Sequence, residues 1–164
     1  MFNRYNLSEP HNGIYEFTTD QNAVYSVYFS DGHSYFYDYP EFCADVLTFG
    51  FDRLNHHQKT SYDYKIKATI TYLIYSYLEA RQDKILFFVC DSADSRGNAR
   101  MRMFHRWYTH LSWDTIEKHD ESIVTSDMCI HCSILLHKNH PMKNFIRSSF
   151  RSLSYTTAEK LKSY

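Results

Sequence analysis

The sequence predicts one α+β domain, in which an antiparallel sheet of about six strands carries two or three helices. Three observations indicate this class. Aromatic residues alternate with polar ones in the first third of the chain, later segments show the helical spacing of three and four residues, and an apolar run of strand length lies between them. With 164 residues, 43% of them hydrophobic, the chain is long enough to bury a core. We expect the domain to span residues 1–154 and a polar tail to span 155–164.

The first third of the chain predicts a meander of short antiparallel strands. Alternation over Ile14–Thr19 and Ala23–Ser30, with polar turn residues between them, predicts a hairpin. An Asp-Gly turn follows. Beyond it, His33–Tyr39 is predicted as a third strand and Val46–Phe51 as a fourth.

A polar break containing the His56-His57 pair precedes the first predicted helix, over residues 62–82. Thr60 or Ser61 is expected to cap this helix. The histidine pair is typical of a solvated turn, and a pair of metal ligands is the alternative. The apolar residues of the helix form one stripe that covers the sheet: Ile66, Ile70, Leu73, Ile74 and Tyr77.

The centre of the chain predicts a buried strand, a turn and a helix. The six apolar residues of Ile85–Cys90 lead into Asp91, and a helix is predicted over residues 98–112. At 100° per residue, Arg100 falls on the core-facing arc with Trp107, so both are expected to be structural. The opposite arc holds the residues expected to be exposed: Arg102, His105, Arg106 and Thr109.

The last third predicts a charged connection over Asp114–Glu121 and two strands within Ser122–Leu136, with a turn at Ser126-Asp127. A third helix is expected after Pro141, since proline suits the first turn of a helix. Three basic residues spaced by four align on its exposed side and form a ridge: Lys143, Arg147 and Arg151.

Charge is divided between the two ends of the chain, although the net charge is only −1. Residues 1–50 hold one arginine and seven acidic residues, whereas residues 138–164 hold six basic residues and one glutamate. Such a split suits separate acidic and basic faces, or two ends that attract each other in the folded chain. The sequence shows no signal peptide, membrane span or disulfide framework, so a soluble cytoplasmic protein with reduced thiols is expected.

The best candidate site lies just after the apolar strand, because α/β proteins commonly place ligands beyond the carboxyl ends of buried strands. Asp91 and Asp94, with His105 as a partner, are candidate metal ligands or general bases of a metal-dependent phosphodiester hydrolase. The preferred interpretation of these carboxylates is structural. In that interpretation either carboxylate pairs with Arg100, whose buried charge needs a partner.

An anion site is a further interpretation of the same turn. Amides at the start of the helix and the Arg96 guanidinium suit a phosphate group. The run Arg96-Gly-Asn-Ala is also similar to the pyrophosphate loop of acyl-CoA-dependent N-acetyltransferases, without the full glycine spacing of that motif. A basic helix face is also common simply because it is solvated. The complete set of anion-binding candidates is Arg96, Gly97, Asn98, Arg102, Arg106, Lys143, Arg147 and Arg151.

Zinc ligation is an alternative for the run Cys129-x-x-Cys132 followed by His137-x-x-His140, since four such ligands bind zinc tetrahedrally. However, core-type residues fill the spacer, and the two cysteines would face opposite sides of a strand. Two buried thiols and a polar histidine turn are the preferred interpretation, and no cofactor is expected.

Three features follow one another along the chain: an aromatic meander, an Asp-rich turn, and an Ala-Arg-x-Arg-x-Phe-x-x-Trp helix at Ala99–Trp107. In this combination the chain resembles a group of small bacterial proteins that carry a domain of unknown function. The resemblance covers most of the chain. It implies that residues 91–107 are the signature of the family, and it implies no activity.

The function expected from these features is an intracellular binding or regulatory module that recognises an anionic partner, either nucleic acid or a phosphorylated ligand. The hydrolase at Asp91 and Asp94 is one alternative. A protein–protein interaction module, with a protein partner or a second copy of the chain, is another, because the abundant tyrosines suit a contact surface. No membrane association is expected.

Overall fold

A computed structural model of the chain shows a six-stranded sheet with three helices. It describes residues 3–8, 10–55, 61–90, 97–109, 113–124 and 129–162. The strands are β1 (Ile14–Thr18), β2 (Val24–Asp31), β3 (Val46–Arg53), β4 (Ile85–Cys90), β5 (Ile116–Val124) and β6 (Cys129–His137). The helices are α1 (Tyr64–Ala80), α2 (Gly97–Thr109) and α3 (Lys143–Lys162). The predicted α+β class is therefore confirmed.

The strand order in the sheet is β1-β2-β3-β4-β6-β5. Four of the five neighbouring pairs are antiparallel, as predicted, and β3 with β4 is the parallel pair. The parallel pair requires a crossover connection, and α1 lies in that connection. The sheet is thus mixed rather than purely antiparallel, and β5 lies at one of its edges.

Helices α1 and α2 cover the same face of the sheet. Alternation along β4 directs Leu86 and Phe88 toward this face, where they belong to a core cluster with apolar residues of α1. Helix α2 adds Phe104 and Trp107 to the same cluster. The helix face predicted for α1 is confirmed by the buried residues Ile70, Leu73, Ile74 and Leu78.

Helix α3 covers the opposite face. Phe87 of β4 points to this side, where Ile146 and Phe150 of α3 are fully buried against it and against neighbouring residues of β6. The segment between β2 and β3 closes the end of this second core with Phe36 and Phe42. Helices on both faces leave the two edge strands, β1 and β5, as the rims of the sheet.

The structure corrects two local predictions in the first half of the chain. Residues His33–Phe36 form a short 3-10 helix rather than a strand, because this turn carries Phe36 into the second core, where its ring meets Phe87 edge to face. The cap of α1 is neither Thr60, which lies outside the described residues, nor Ser61. It is Asp63, whose carboxylate accepts a hydrogen bond from the Lys65 amide at 2.9 Å.

The prediction of a charged connection over Asp114–Glu121 was wrong, because most of these residues belong to β5. Its backbone pairs with β6 from Ile116 opposite His137 to Val124 opposite Cys129. Charged side chains are common on an edge strand, because one side of such a strand is exposed to solvent. The predicted turn at Ser126-Asp127 lies outside the described residues. Helix α3 continues to Lys162 and so includes most of the segment predicted as a polar tail.

None of the helices in the described part of the chain is long and apolar enough to cross a membrane.

Candidate functional site

The turn that the sequence favoured as a site, with Asp91, Asp94 and Arg96, lies outside the described residues. Their proposed roles stay predictions. The structure resumes at α2, where Gly97 is buried and Asn98 is exposed in the first turn. The site is therefore built from the residues that α2 and the strands beside it bring together.

Helix α2 presents two different faces, as its spacing predicted. Met101, Phe104, Trp107 and Tyr108 pack against the core under the helix. The Trp107 ring stacks on Phe51 with a centroid distance of 5.9 Å. The opposite face exposes Arg102, His105, Arg106 and Thr109.

Arg100 lies between these two faces and is half-buried. Its positive charge lies near the thiol of Cys90 at the end of β4. Burial raises the pKa of the Cys90 thiol above its usual range, and the Arg100 charge offsets part of that rise. The Arg100 side chain therefore reaches toward the sheet, and its structural role stays a prediction.

An open groove of about 460 Å³ runs along the exposed face of α2, beside strand β5. We call it the α2 groove. It is lined by Met101, Arg102, His105, Arg106, Thr109 and Asp120. Arg102 and Arg106 are one helical turn apart, so both guanidinium groups project toward the same space. Among the described residues, neither group has an acidic partner.

The carboxylate of Asp120 in the α2 groove is engaged by two neighbours. The Lys118 ammonium forms an ion pair with it, and the Ser133 hydroxyl donates a hydrogen bond to it. The Lys118 side chain is only 3% exposed, whereas that of Asp120 is 36% exposed. Since Lys118 balances the charge of Asp120, the positive charge of the two arginines dominates the groove.

An imidazole cluster lies close to one end of the α2 groove. His131 of β6 is directly opposite Ser122 of β5, and its Nδ1 is 2.7 Å from the Ser122 hydroxyl. The other ring nitrogen, Nε2, is 2.6 Å from the side-chain oxygen of Asn98 and 3.5 Å from the sulfur of Cys129. Both nitrogens of this histidine are therefore engaged by side chains from α2 and two strands.

The four zinc candidates are not brought together. Cys129 and His137 lie at the two ends of β6, about 26 Å apart for a strand of this length. His137 and His140 each accept a hydrogen bond from a nearby backbone amide, at 3.1 Å in both cases. No group of three or more potential metal ligands was found among the described residues.

Cys132 points to the face of the sheet opposite Cys129 and is buried. Its burial, with a smaller effect of the nearby carboxylates Glu121 and Asp120, raises the pKa of the Cys132 thiol to about 12. This thiol is neutral and shielded at physiological pH. It is a core residue, whereas Cys129 is half-buried, so only one of the two thiols expected to be buried lies in the core.

The basic ridge of α3 lies on the other side of the sheet from α2. Arg147 is exposed and Lys143 is half-buried. Arg151 is 3.6 Å from a carboxylate oxygen of Glu121 on β5, so that pair links α3 to the edge strand. The predicted anion-binding arginines and lysine that the structure describes therefore lie on two separate surfaces, divided by the sheet.

Helices α1 and α2 and the strands β4, β5 and β6 belong to a segment that matches a known protein family. A model of the family of unknown function DUF6169 matches residues 62–152, more than half of the chain. The chain belongs to the DUF6169 family. The predicted resemblance to a domain of unknown function is thereby confirmed. A search of curated proteins found no match.

The segment that defines DUF6169 here starts at α1 and ends within α3, so it contains the whole α2 groove and the imidazole cluster. Three residues of these sites, Asp120, Ser122 and His131, were not predicted as functional. Asp120 fell within the supposed connection, and His131 was considered only as a neighbour of the cysteines. Alternation along β6 was the available signal, because it places Cys129 and His131 on one face.

Proposed function

We propose that the α2 groove binds a small phosphorylated ligand, so that the chain acts as an anion-binding module. One observation supports this most directly. Arg102 and Arg106 line the same open groove, while the acidic residue of that groove, Asp120, is already paired with Lys118. Because neither guanidinium has an acidic partner among the described residues, the two favour an external anion, and arginine forks match phosphate oxygens well.

The size of the groove favours a small ligand over a polymer. A volume of about 460 Å³ falls within the roughly 300–1,000 Å³ typical of small-molecule sites. A nucleic acid would call for a longer basic surface. The ridge on α3 does not extend the groove, because it lies across the sheet, and Arg151 already pairs with Glu121.

The binding of inorganic pyrophosphate, measured by titration calorimetry at low ionic strength, tests this proposal. The double variant Arg102→Gln/Arg106→Gln is expected to bind at least about tenfold more weakly, since one charged hydrogen bond is worth about 1.5–3 kcal/mol. The matched control is Lys143→Gln/Arg147→Gln, which removes the same charge from the opposite side of the sheet. It is expected to bind like the natural chain.

Three results would overturn the proposal. These are no measurable pyrophosphate binding by the natural chain, an equal loss in both double variants, and tighter binding of a single-stranded oligonucleotide that depends on the control residues. The last result would indicate a nucleic-acid surface on α3. Titration of the oligonucleotide at two salt concentrations separates that outcome from the binding of a small ligand.

The other functions predicted from the sequence have no comparable support. His105 lines the α2 groove. The two carboxylates proposed to act with it in a hydrolase, Asp91 and Asp94, lie outside the described residues. Exposed tyrosines such as Tyr37 and Tyr62 are consistent with a protein contact and define no partner. We retain the cytoplasm as the expected compartment, since all four cysteines are free thiols.

A further inference from the structure

Three side chains beside the α2 groove form a continuous hydrogen-bonded row through one imidazole ring. The Ser122 hydroxyl is 2.7 Å from Nδ1 of His131, and the side-chain oxygen of Asn98 is 2.6 Å from Nε2. Ser122 is exposed on the edge strand, while His131 is half-buried behind it. A hydroxyl in this position is open to an incoming molecule.

The partners of His131 determine where its proton lies. An amide oxygen accepts hydrogen bonds and cannot donate them, so Nε2 carries the proton and donates it to Asn98. In the neutral ring Nδ1 then has a free lone pair and accepts the hydroxyl proton of Ser122. The row therefore has the order of a hydroxyl nucleophile, a general base and a group that orients the base.

The fold holds this order in place from three elements. Ser122 and His131 are direct cross-strand partners in the β5–β6 pair. Asn98 reaches the ring from the first turn of α2, one helical turn before Arg102. Ser122 also shares a face of β5 with Asp120, two residues away, which lines the α2 groove. An anion bound at the arginines would therefore lie on the same face of the sheet as Ser122.

We propose that Ser122, His131 and Asn98 make this chain an esterase for carboxylic esters that carry a phosphate group. Ser122 and His131 are the catalytic residues, and Asn98 is a positioning residue. The choice of a phosphorylated ester depends on the proposed function of the α2 groove. The assignment of the nucleophile rests on the imidazole cluster alone.

The reaction has two balanced halves. In the first, the Ser122 oxygen attacks the ester carbonyl while its proton passes to Nδ1 of His131. The carbon–oxygen bond to the alcohol then breaks, and the departing oxygen takes the proton from Nδ1. In the second half, water gives a proton to Nδ1 and attacks the acyl group on Ser122. The acid is released, and the proton returns to the serine oxygen.

Cys129 is the competing nucleophile in the same cluster. Its sulfur is 3.5 Å from Nε2, the nitrogen that carries the proton. A protonated nitrogen cannot take the proton of the thiol, so His131 in this orientation activates Ser122 and not Cys129. Separate variants of the two residues distinguish these assignments.

Labelling with a neutral alkyl fluorophosphonate tests the nucleophile, because the probe forms a stable phosphorus–oxygen bond with an activated serine and releases fluoride. Mass spectrometry is expected to find the label on Ser122. Ser122→Ala should abolish it, and His131→Gln should slow it by at least about 100-fold, the scale of general-base catalysis. Ser148→Ala, which changes an exposed serine on α3, is the control and should be labelled at the natural rate. Cys129→Ala tests the competing nucleophile, and its label is expected on Ser122.

The role of Asn98 has its own readout. Asn98→Ala should slow labelling about tenfold, whereas Asn98→Asp keeps the accepting oxygen and should retain the rate. A carboxylate beside the ring also stabilises the charged imidazole, so Asn98→Asp should shift the acid limb of the pH–rate profile to higher pH. A purely structural asparagine would give neither the rescue nor the shift.

Failure of this inference can be told apart from failure of the proposed function. The fluorophosphonate carries no charge, so labelling of Ser122 does not require the anion site, and Lys143→Gln/Arg147→Gln on the opposite side of the sheet should be labelled at the natural rate. Arg102→Gln/Arg106→Gln should lose the preference for phosphorylated esters over neutral ones. Absence of label on Ser122 would overturn the esterase, as would a label whose rate is the same in His131→Gln. In either case the pyrophosphate titration would still test the groove.

Discussion

Replacing Asp120 by asparagine is expected to destabilise the fold more than replacing its partner Lys118 by methionine. The Lys118 side chain is 3% exposed and its carboxylate partner is 36% exposed, so the two charges differ in access to water. Asparagine leaves a buried ammonium without its counter-charge. Such a change in a fully buried ion pair lowers the free energy of unfolding by about 3–5 kcal/mol. Because Asp120 is partly exposed to solvent, we expect a loss of about 2 kcal/mol here.

Methionine removes the buried charge and keeps a chain of similar length. The remaining carboxylate of Asp120 can be solvated from the α2 groove, and the Ser133 hydroxyl still donates to it. We expect Lys118→Met to cost less than about 1 kcal/mol.

Urea unfolding at pH 7 measures both variants. With a slope of about 2 kcal/mol per molar urea, Asp120→Asn should lower the midpoint by about 1 M and Lys118→Met by less than half as much. Equal midpoints, or a larger loss in Lys118→Met, would refute the reasoning from unequal burial.

Two further predictions concern the second core of the sheet. Phe150→Ala, at a side chain 1% exposed, should lower the free energy of unfolding by about 3–5 kcal/mol. Phe145→Ala, 41% exposed on the same helix, should cost about 1 kcal/mol, and thermal unfolding of the two variants checks the difference. Burial raises the pKa of the Cys132 thiol to about 12 in the folded chain, whereas the thiol of the unfolded chain ionises near pH 9. The contribution of the neutral Cys132 thiol to the free energy of unfolding is therefore complete below the ordinary thiol pKa and is lost as the pH rises from about 9 toward 12. Unfolding free energies measured between pH 8 and 11 should therefore fall less steeply in Cys132→Ala than in the natural chain, and equal slopes would contradict the assignment.

The parts of the fold that the sequence predicted are those whose own side chains determine the structure. The apolar stripe of α1 and the apolar run of β4 bury their residues wherever the sheet lies, so their periodicity was sufficient. The segment His33–Phe36 is different. Its alternating aromatic residues match a strand, but the burial of Phe36 depends on Phe87 and Phe150, which are distant in the chain.

The candidate site was predictable only where it lies on one helix. The angular placement of residues on α2 predicted that Arg102, His105 and Arg106 would be exposed together. It could not predict that Asp120 would lie beneath them, because that contact depends on the position of β5 relative to α2. The pairing of Ser122 with His131 depends on the register of β5 and β6, which a shift of one residue would abolish.

The order of strands in the sheet has a consequence for the rate of folding. β5 and β6 meet through neighbouring residues, with Val124 opposite Cys129, and β2 and β3 likewise join segments that are close in sequence. β4 has no such neighbour, since residue 85 pairs with residue 46 on one side and residue 136 on the other. Each of these pairings closes a long loop, and the loss of chain entropy on loop closure raises the free energy before the strand contacts lower it. We therefore expect the capture of β4 to be the slow event of folding and the hairpins on either side to form without it.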